Sequence, residues 1–391
     1  MTGIDDLSVY GSTLSVAAVD IARARGKPER SVTGIGLVRR SLAPPWEDPV
    51  TLAVNAARPL AGPDVGLLIV ATESGVDFAK PLSSYVHKWL ELPGGCRHLE
   101  VKHACYGGTG ALKLASAWVR EQEGRRALVV MTDMARRLFG DPAEPAEGAG
   151  AVALSVTARP RVLALDPWSG VAAREVYDVM RPTPTKEVIH SALSLAAYLD
   201  LLEEAWAGYA AAAGGDAFGR LAHIAYHTPV PPLVEQAHGI LIESCRPDDD
   251  PLASFERMVR PSFRYTRELG NTYSGCLYAA LAGLIDSGAA GRVGLYSYGS
   301  GSCAEFTSGV LGESAAATVG RHAIAAQLEA RRPIDVATYE RTVVATETGM
   351  TEADWEPDRE SITGHWASHY RGQSRLILQS VRDHYRDYAW S

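Results

Sequence analysis

The 391-residue chain is predicted to be an α/β protein, with helices covering a largely buried sheet and two similar halves fused in one polypeptide. Three observations predict it. Continuous apolar runs too short for helices recur along the chain, as strands buried on both faces do. Helical stretches alternate with them. A Gly-x-Gly-x-x-Ala opening that leads into an apolar strand occurs in "GAGAVALSV" (148–156) and again in "GSGSCAEFTSGV" (299–310), about half a chain apart. That is the spacing two like halves would give. The length also exceeds the size at which one core usually stops growing.

In order, "VGLLIVAT" (65–72), "RALVVMT" (126–132), "AVALSV" (151–156), "RVLAL" (161–165), "LAHIAYHT" (221–228) and "RVGLYSY" (292–298) read as strands. Helices are predicted over roughly 48–60, 80–91, 107–121, 192–213, 231–243 and 272–287. The halves are taken as 1–168 and 169–391, the second finishing in a helical C-terminal edge, with 358–375 as surface loop.

A net charge of −8 argues against general nucleic-acid binding, which needs a strongly basic face. The opening "MTGIDDLSVY" is acidic at once and no apolar run reaches membrane-spanning length, so a soluble cytoplasmic protein is expected. Five scattered cysteines with no Cys-x-x-Cys pair point away from a disulfide framework and from structural zinc. The eleven histidines include no His-Glu-x-x-His spacing.

Cys105, in "VKHACYGGTGAL" (101–112), is the first candidate for chemistry. Free cysteine commonly packs as a small hydrophobe. Here Gly107, Gly108 and Gly110 permit a tight turn and close backbone approach. A helix starting near 107 would aim its N-terminal amides at the sulfur, lowering its pKa and offering an oxyanion site. This is the strand–nucleophile–helix arrangement of α/β enzymes. Glu73 and His227 each stand just past a buried strand, followed by a glycine and a proline two residues on. Taken singly, they read as a turn-solvating acid and a structural histidine. Ligand sites of α/β sheets gather at strand ends, and the three groups suit covalent acyl capture, proton abstraction and carbonyl polarisation.

These segments resemble the 3-hydroxy-3-methylglutaryl-CoA synthase family of the thiolase superfamily. "IVATESGVD" resembles its glutamate segment, "EVKHACYGGTGAL" its cysteine segment and "EPAEGAGAVAL" (144–154) its glycine-rich strand turn. "YDVMRPT" (177–183) resembles its arginine-proline segment, and "YHTP" (226–229) its histidine segment. "GNTYSGCLYAAL" (270–281) and "YSYGSGSCAEF" (296–306) complete the set, which covers most of the chain up to about residue 311. The resemblance implies a thiolase-like duplicated α/β/α/β/α five-layered fold assembled as a homodimer. It implies Cys105 as acyl-accepting nucleophile, Glu73 as the base that forms an enolate, and His227 as the group that polarises the acceptor's keto oxygen. Asn271, Ser300 and Arg181 fall on substrate-binding positions. The implied reaction joins an acetyl group to a 3-ketoacyl thioester, with no metal or redox cofactor.

After the histidine, "HTPVPPLVEQAHG" (227–239) carries no lysine or arginine, where mevalonate-pathway members have lysines that help hold the phosphates of CoA. The segment resembles the polyketide branch, which adds β-branches to chains held on acyl carrier proteins, so donor and acceptor carrier proteins are the expected partners. The other branch, acting on acetyl-CoA and acetoacetyl-CoA, is the alternative. Arg39, Arg40, Arg136 and Arg137 could serve CoA or an acidic carrier protein, or be solvated surface charges. Beside the nucleophile, continued strand alternation would put His103, not Lys102, on the face of Cys105. Glu73 speaks against a decarboxylating ketoacyl synthase. The joint presence of Cys105, Glu73 and His227 speaks against a non-catalytic carrier-binding scaffold.

Overall fold

Val65–Ala71 is buried along its whole length, and the segments that flank it in space repeat that pattern. The computed structural model describes residues 1–122, 124–135, 139–183 and 185–391. Among them one large sheet holds, in chain order, β1 (Gly3–Tyr10), β2 (Val65–Ala71), β3 (Arg97–Val101), β4 (Arg126–Met134), β5 (Ala149–Thr157), β6 (Leu163–Ala173), β7 (His223–Tyr226), β8 (Arg292–Gly299) and β9 (Cys303–Leu311). Their spatial order is β7-β8-β9-β6-β1-β5-β4-β2-β3.

One series of pairings occurs twice. β1 runs antiparallel to β5, β5 antiparallel to β4, and β4 parallel to β2, with β3 added parallel at the edge. Likewise β6 runs antiparallel to β9, β9 antiparallel to β8, and β8 parallel to β7. The two series join only where β1 meets β6, through Gly3–Ala164 and Ile4–Leu163. Both copies of the Gly-x-Gly-x-x-Ala pattern lie at matching places, one opening β5 and the other turning β8 into β9.

The expected helices are present as α1 (Pro49–Ala57), α2 (Leu82–Trp89), α3 (Gly107–Glu121), α4 (Ser191–Ala213), α5 (Pro231–Cys245) and α6 (Cys276–Asp286). α1 starts where Asp48 and Thr51 form a reciprocal capping box with Pro49 in the first turn. Strand side chains alternate between layers. Leu67, Ile69 and Ala71 face α3 and α6, whereas Leu68 and Val70 face α1 and α2. In the other half Ala225, Val293 and Leu295 join the α3–α6 core, while Ile224, Tyr226 and Tyr296 pack with α4 and α5. α3 and α6 are thus the middle of five layers. The near-complete burial of α6 follows from that position.

β1 and β3 escape a hydropathy reading. β1 contains Asp5 and Asp6, and buried Asp6 is held by Arg321 at 2.6 Å and His322 at 2.8 Å. β3 lies at the sheet edge and is mostly exposed. The C-terminal edge is helical over Val336–Thr351 and His365–His369, but the chain then ends in an antiparallel hairpin, Leu376–Arg382 with Tyr385–Trp390. Leu376, Leu378, Val381 and Tyr388 of this hairpin enter the core on the α1 side. The 358–375 stretch is not all surface loop: Ile362, His365 and Tyr370 are buried, and the last two bond to Thr13. No helix among the described residues is long and apolar enough to cross a membrane.

Candidate active site

Glu73 follows β2 in a turn held from below by Asp133, the penultimate residue of β4. Asp133 is fully buried and accepts from the Glu73 amide (2.9 Å), the Thr72 hydroxyl (3.1 Å) and the Ser74 hydroxyl (2.9 Å). Its second oxygen accepts from Ser274 (3.1 Å), just ahead of α6, so the glutamate turn is anchored to the other half. Arg181, on the strand Val179–Thr183, donates to the Glu73 carbonyl (3.0 Å), to Ser74 (3.2 Å) and to Tyr273 (3.1 Å).

Cys105 sits between β3 and α3, with its Sγ 3.7 Å from Glu73 Oε1. β3 ends at Val101, so strand alternation does not extend to residues 102–105. The left-handed residue of the turn is Ala104 (φ 39°), not a glycine. Gly108 serves close approach instead: a Cβ there would lie 2.5 Å from the Met131 sulfur and 2.9 Å from the Ser274 carbonyl. His103 packs edge-on against Tyr106 at 5.5 Å, its buried Nε2 without a hydrogen-bond partner among the described residues.

From the second half, His227 follows β7. Its backbone is fixed on both sides, the amide donating to the Tyr296 carbonyl (2.8 Å) and the carbonyl accepting from Tyr198 (2.8 Å). Its buried Nδ1 has no hydrogen-bond partner among the described residues. Asn271 is buried, its Oδ1 accepting from the Tyr273 amide at 2.9 Å. Ser300 lies in the turn between β8 and β9.

All six predicted site residues, Glu73, Cys105, Arg181, His227, Asn271 and Ser300, line one cavity of about 330 Å³. Leu195, Val230, Leu233, Val179 and Ile189 give it apolar walls, the usual setting for a few convergent polar groups. A larger open basin of about 980 Å³ lies at the opposite strand ends, among Arg120, Arg125, Arg126 and Arg159, and contains none of the six.

Burial dominates the electrostatics. Glu73 is pushed up to about 8 by burial and by the facing Asp133 carboxylate, against the pull of Arg181. Asp133 rises to about 6 through burial, restrained by its donors. Burial alone drops His227 to about 3, leaving a neutral imidazole. The Cys105 thiol is raised by burial and by Glu73, contrary to the lowering expected at a helix N-terminus. Desolvation and the acidic groups Glu73, Asp133 and Glu187 all push the thiol upward.

Of the arginines considered for an anionic partner, Arg40 is buried and spent on the Glu144 carbonyl and the Tyr339 hydroxyl, both at 2.8 Å. Arg39 is half-exposed and 3.4 Å from Glu268. Arg136 and Arg137 lie outside the described residues. Asp133 is the site residue that sequence reading missed. Its signal was available, since it ends a buried run in "VVMTD" as Glu73 follows one in "LIVATE".

Residues 2–160 match the family described as hydroxymethylglutaryl-coenzyme A synthase N terminal, and residues 252–387 its C-terminal counterpart. The polyketide biosynthesis 3-hydroxy-3-methylglutaryl-ACP synthase PksG of Bacillus subtilis strain 168 is 34% identical over 99% of both chains. The hydroxymethylglutaryl-CoA synthase of Enterococcus faecalis is 31% identical over 88% of this chain and 92% of its own. The curacin biosynthetic pathway HMG synthase, solved in complex with acetyl donor-ACP, superposes with a TM-score of 0.95 at 33% identity, covering all of both chains. The chain belongs to the hydroxymethylglutaryl-CoA synthase family.

Proposed function

We propose that the protein catalyses an aldol-type condensation in which an acetyl group carried on Cys105 is joined to a 3-ketoacyl thioester on acyl carrier protein, adding a β-branch in polyketide biosynthesis. The observation that carries this reading is the convergence of Cys105, Glu73 and His227, from both halves, on one largely apolar cavity with the thiol 3.7 Å from the carboxyl group. With thiol and acid both pushed upward, the resting pair is protonated, and loss of the Glu73 proton readies it to take the thiol proton as Cys105 attacks the donor thioester. As the acetyl group passes to Cys105, Glu73 gives that proton to the departing thiolate of the donor. The regenerated carboxylate then removes a proton from the acetyl methyl, and the enolate carbon attacks the acceptor's keto carbon. His227 is neutral and acts as a hydrogen-bond donor to the keto oxygen, with Asn271 and Ser300 beside it. The proton held by Glu73 returns to the alkoxide, and water cleaves the Cys105 thioester. Arg181 holds the Glu73 turn from within the cavity wall. These steps need no metal or redox cofactor.

Two observations favour a carrier protein over CoA. PksG bears an ACP-synthase description, and the curacin enzyme was solved with its donor-ACP. A groove along the start of α5, the helix whose Leu233 lines the cavity, is formed by Gly34, Ile35, Pro232, Glu235, Gln236, Pro251 and Leu252, without a cation to hold nucleotide phosphates. On this reading the enzyme works in the cytoplasm with donor and acceptor carrier proteins, as a homodimer. The test is intact-protein mass spectrometry after exposure to acetyl-loaded carrier protein or to acetyl-CoA, with Cys105→Ala as control. Fast labelling from the carrier and slow labelling from CoA is the expected result. Equal or faster labelling from CoA would return the enzyme to the mevalonate-type reaction.

A further inference from the structure

The residue after the nucleophile is tied to the opposite half of the molecule. Tyr106 Oη donates to Glu305 Oε2 at 2.9 Å, and Lys113 Nζ lies 2.8 Å from Glu305 Oε1. Tyr106 and Lys113 belong to the nucleophile turn and to α3, seven residues apart and therefore on one helix face. Glu305 is on β9 and its side chain is only 3% exposed. Lys113 also donates to Thr307, two residues along β9 and so on the same strand face, at 3.0 Å. A buried carboxylate needs such partners, and here both come from the segment that carries Cys105. Burial together with Glu305 keeps the Tyr106 phenol protonated, so it stays a donor.

The same strand leads back to the catalytic cavity. β9 is entered from the 300–302 turn, which carries Ser300, and β8 on the other side of that turn pairs with β7, which His227 follows. The end of β8 presses on the nucleophile segment: a Cβ on Gly299 would lie 2.5 Å from the Tyr106 nitrogen. We infer that Glu305 is a positioning residue, which through Tyr106 and Lys113 sets the distance between the Cys105-bound acyl group and the His227–Ser300 side of the cavity. The inference rests on the assignment of Cys105 as acyl carrier. Acetylation uses Cys105 and Glu73 from one half, whereas condensation needs groups from both. Loosening the clamp therefore slows condensation selectively.

The test compares Tyr106→Phe, Glu305→Ala and Glu305→Gln with the unaltered enzyme. One readout is the rate of Cys105 acetylation from acetyl carrier protein. The other is single-turnover condensation of the acetyl-enzyme with acetoacetyl carrier protein. Misplacement of reacting groups by an ångström costs on the order of 100-fold. Tyr106→Phe and Glu305→Ala are therefore expected to slow condensation at saturating acceptor by about 10- to 100-fold, with half-saturation unchanged and acetylation within about 3-fold. Glu305→Gln recovers most of the rate, since an amide can accept from Lys113 and bond Tyr106. Condensation within about 3-fold of normal in both Tyr106→Phe and Glu305→Ala, or equal loss of both steps, would overturn the positioning role. If Glu305→Ala does not fold, Tyr106→Phe decides alone. An unaltered enzyme that takes no acetyl at Cys105 would overturn the site assignment and this inference with it. Normal acetylation with unimpaired variants would overturn the inference alone.

Discussion

Glu73 and His227 occupy matching seats in the two halves. Each follows the strand, β2 or β7, that lies parallel to the next strand inward, β4 or β8. The central helices match as well. Three residues ahead of α3 stands Ala104 (φ 39°), and three residues ahead of α6 stands Tyr273 (φ 49°), which pairs Cys105 with Ser274. The backbone is repeated, but the chemistry is not. The first half presents a thiol and a carboxyl group with a second carboxylate beneath them. The second presents a neutral imidazole, an amide and hydroxyls. Burial drives the two titratable seats in opposite directions, Glu73 up to about 8 and His227 down to about 3, and so makes both neutral near pH 7. One half is thereby suited to covalent and proton-transfer steps, and His227 of the other to holding a developing oxyanion without carrying a charge itself.

Substituting the paired residues ahead of the helices breaks the comparison most sharply. Cys105→Ala is expected to abolish the acetyl adduct and lower turnover by more than about 10³-fold, whereas Ser274→Ala loses one bond to Asp133 and about 1 kcal/mol of stability. Mass spectrometry and urea unfolding check the two. The strand-end pair comes next. Glu73→Gln should slow exchange of the acetyl methyl hydrogens with solvent deuterium by about 10²- to 10⁴-fold. His227→Ala should leave that exchange near normal while slowing condensation by about 10²- to 10³-fold.

A pH series sharpens the electrostatic contrast. The carboxylate is the reactive form of Glu73 and its pKa is raised, so deuterium exchange should climb with pH through about 8 and level off above it. Asp133→Asn removes the like charge that helps raise Glu73 and should move that midpoint downward. The His227 imidazole, followed by NMR, should show no titration between about pH 5 and 9, since its folded-state pKa of about 3 lies below that window. Stability changes as well. Asp133→Asn replaces a fully buried acceptor of several hydrogen bonds and should cost about 1–3 kcal/mol in urea unfolding.

Local pattern carried much of this protein. The helix expected over 107–121 is found at Gly107–Glu121, and that expected over 231–243 at Pro231–Cys245, because glycine and proline punctuate apolar runs at those points. The failures share a cause. β1 reads as polar until Arg321 and His322 arrive beside Asp6 from more than 300 residues away. The terminal hairpin reads as edging until its alternate side chains meet α1. Arg40 reads as a surface charge until Glu144 and Tyr339 close over it.

The sequence by itself determined the alternation of buried strands and helices, the repeat of a glycine-rich turn, and Cys105, Glu73 and His227 as strand-end candidates, while Arg181, Asn271 and Ser300 followed from the resemblance of their segments to the family's. Runs, periods and turn residues act over a few positions, and strand ends are where such folds present reactive groups. The tertiary structure alone decided that Asp133 underlies the glutamate turn, that Tyr106 and Lys113 grip Glu305, and that the thiol is raised rather than lowered. Each of these depends on which segments a packed core brings within about 3 Å of one another. Desolvation then shifts every buried charge according to the neighbours it finds there.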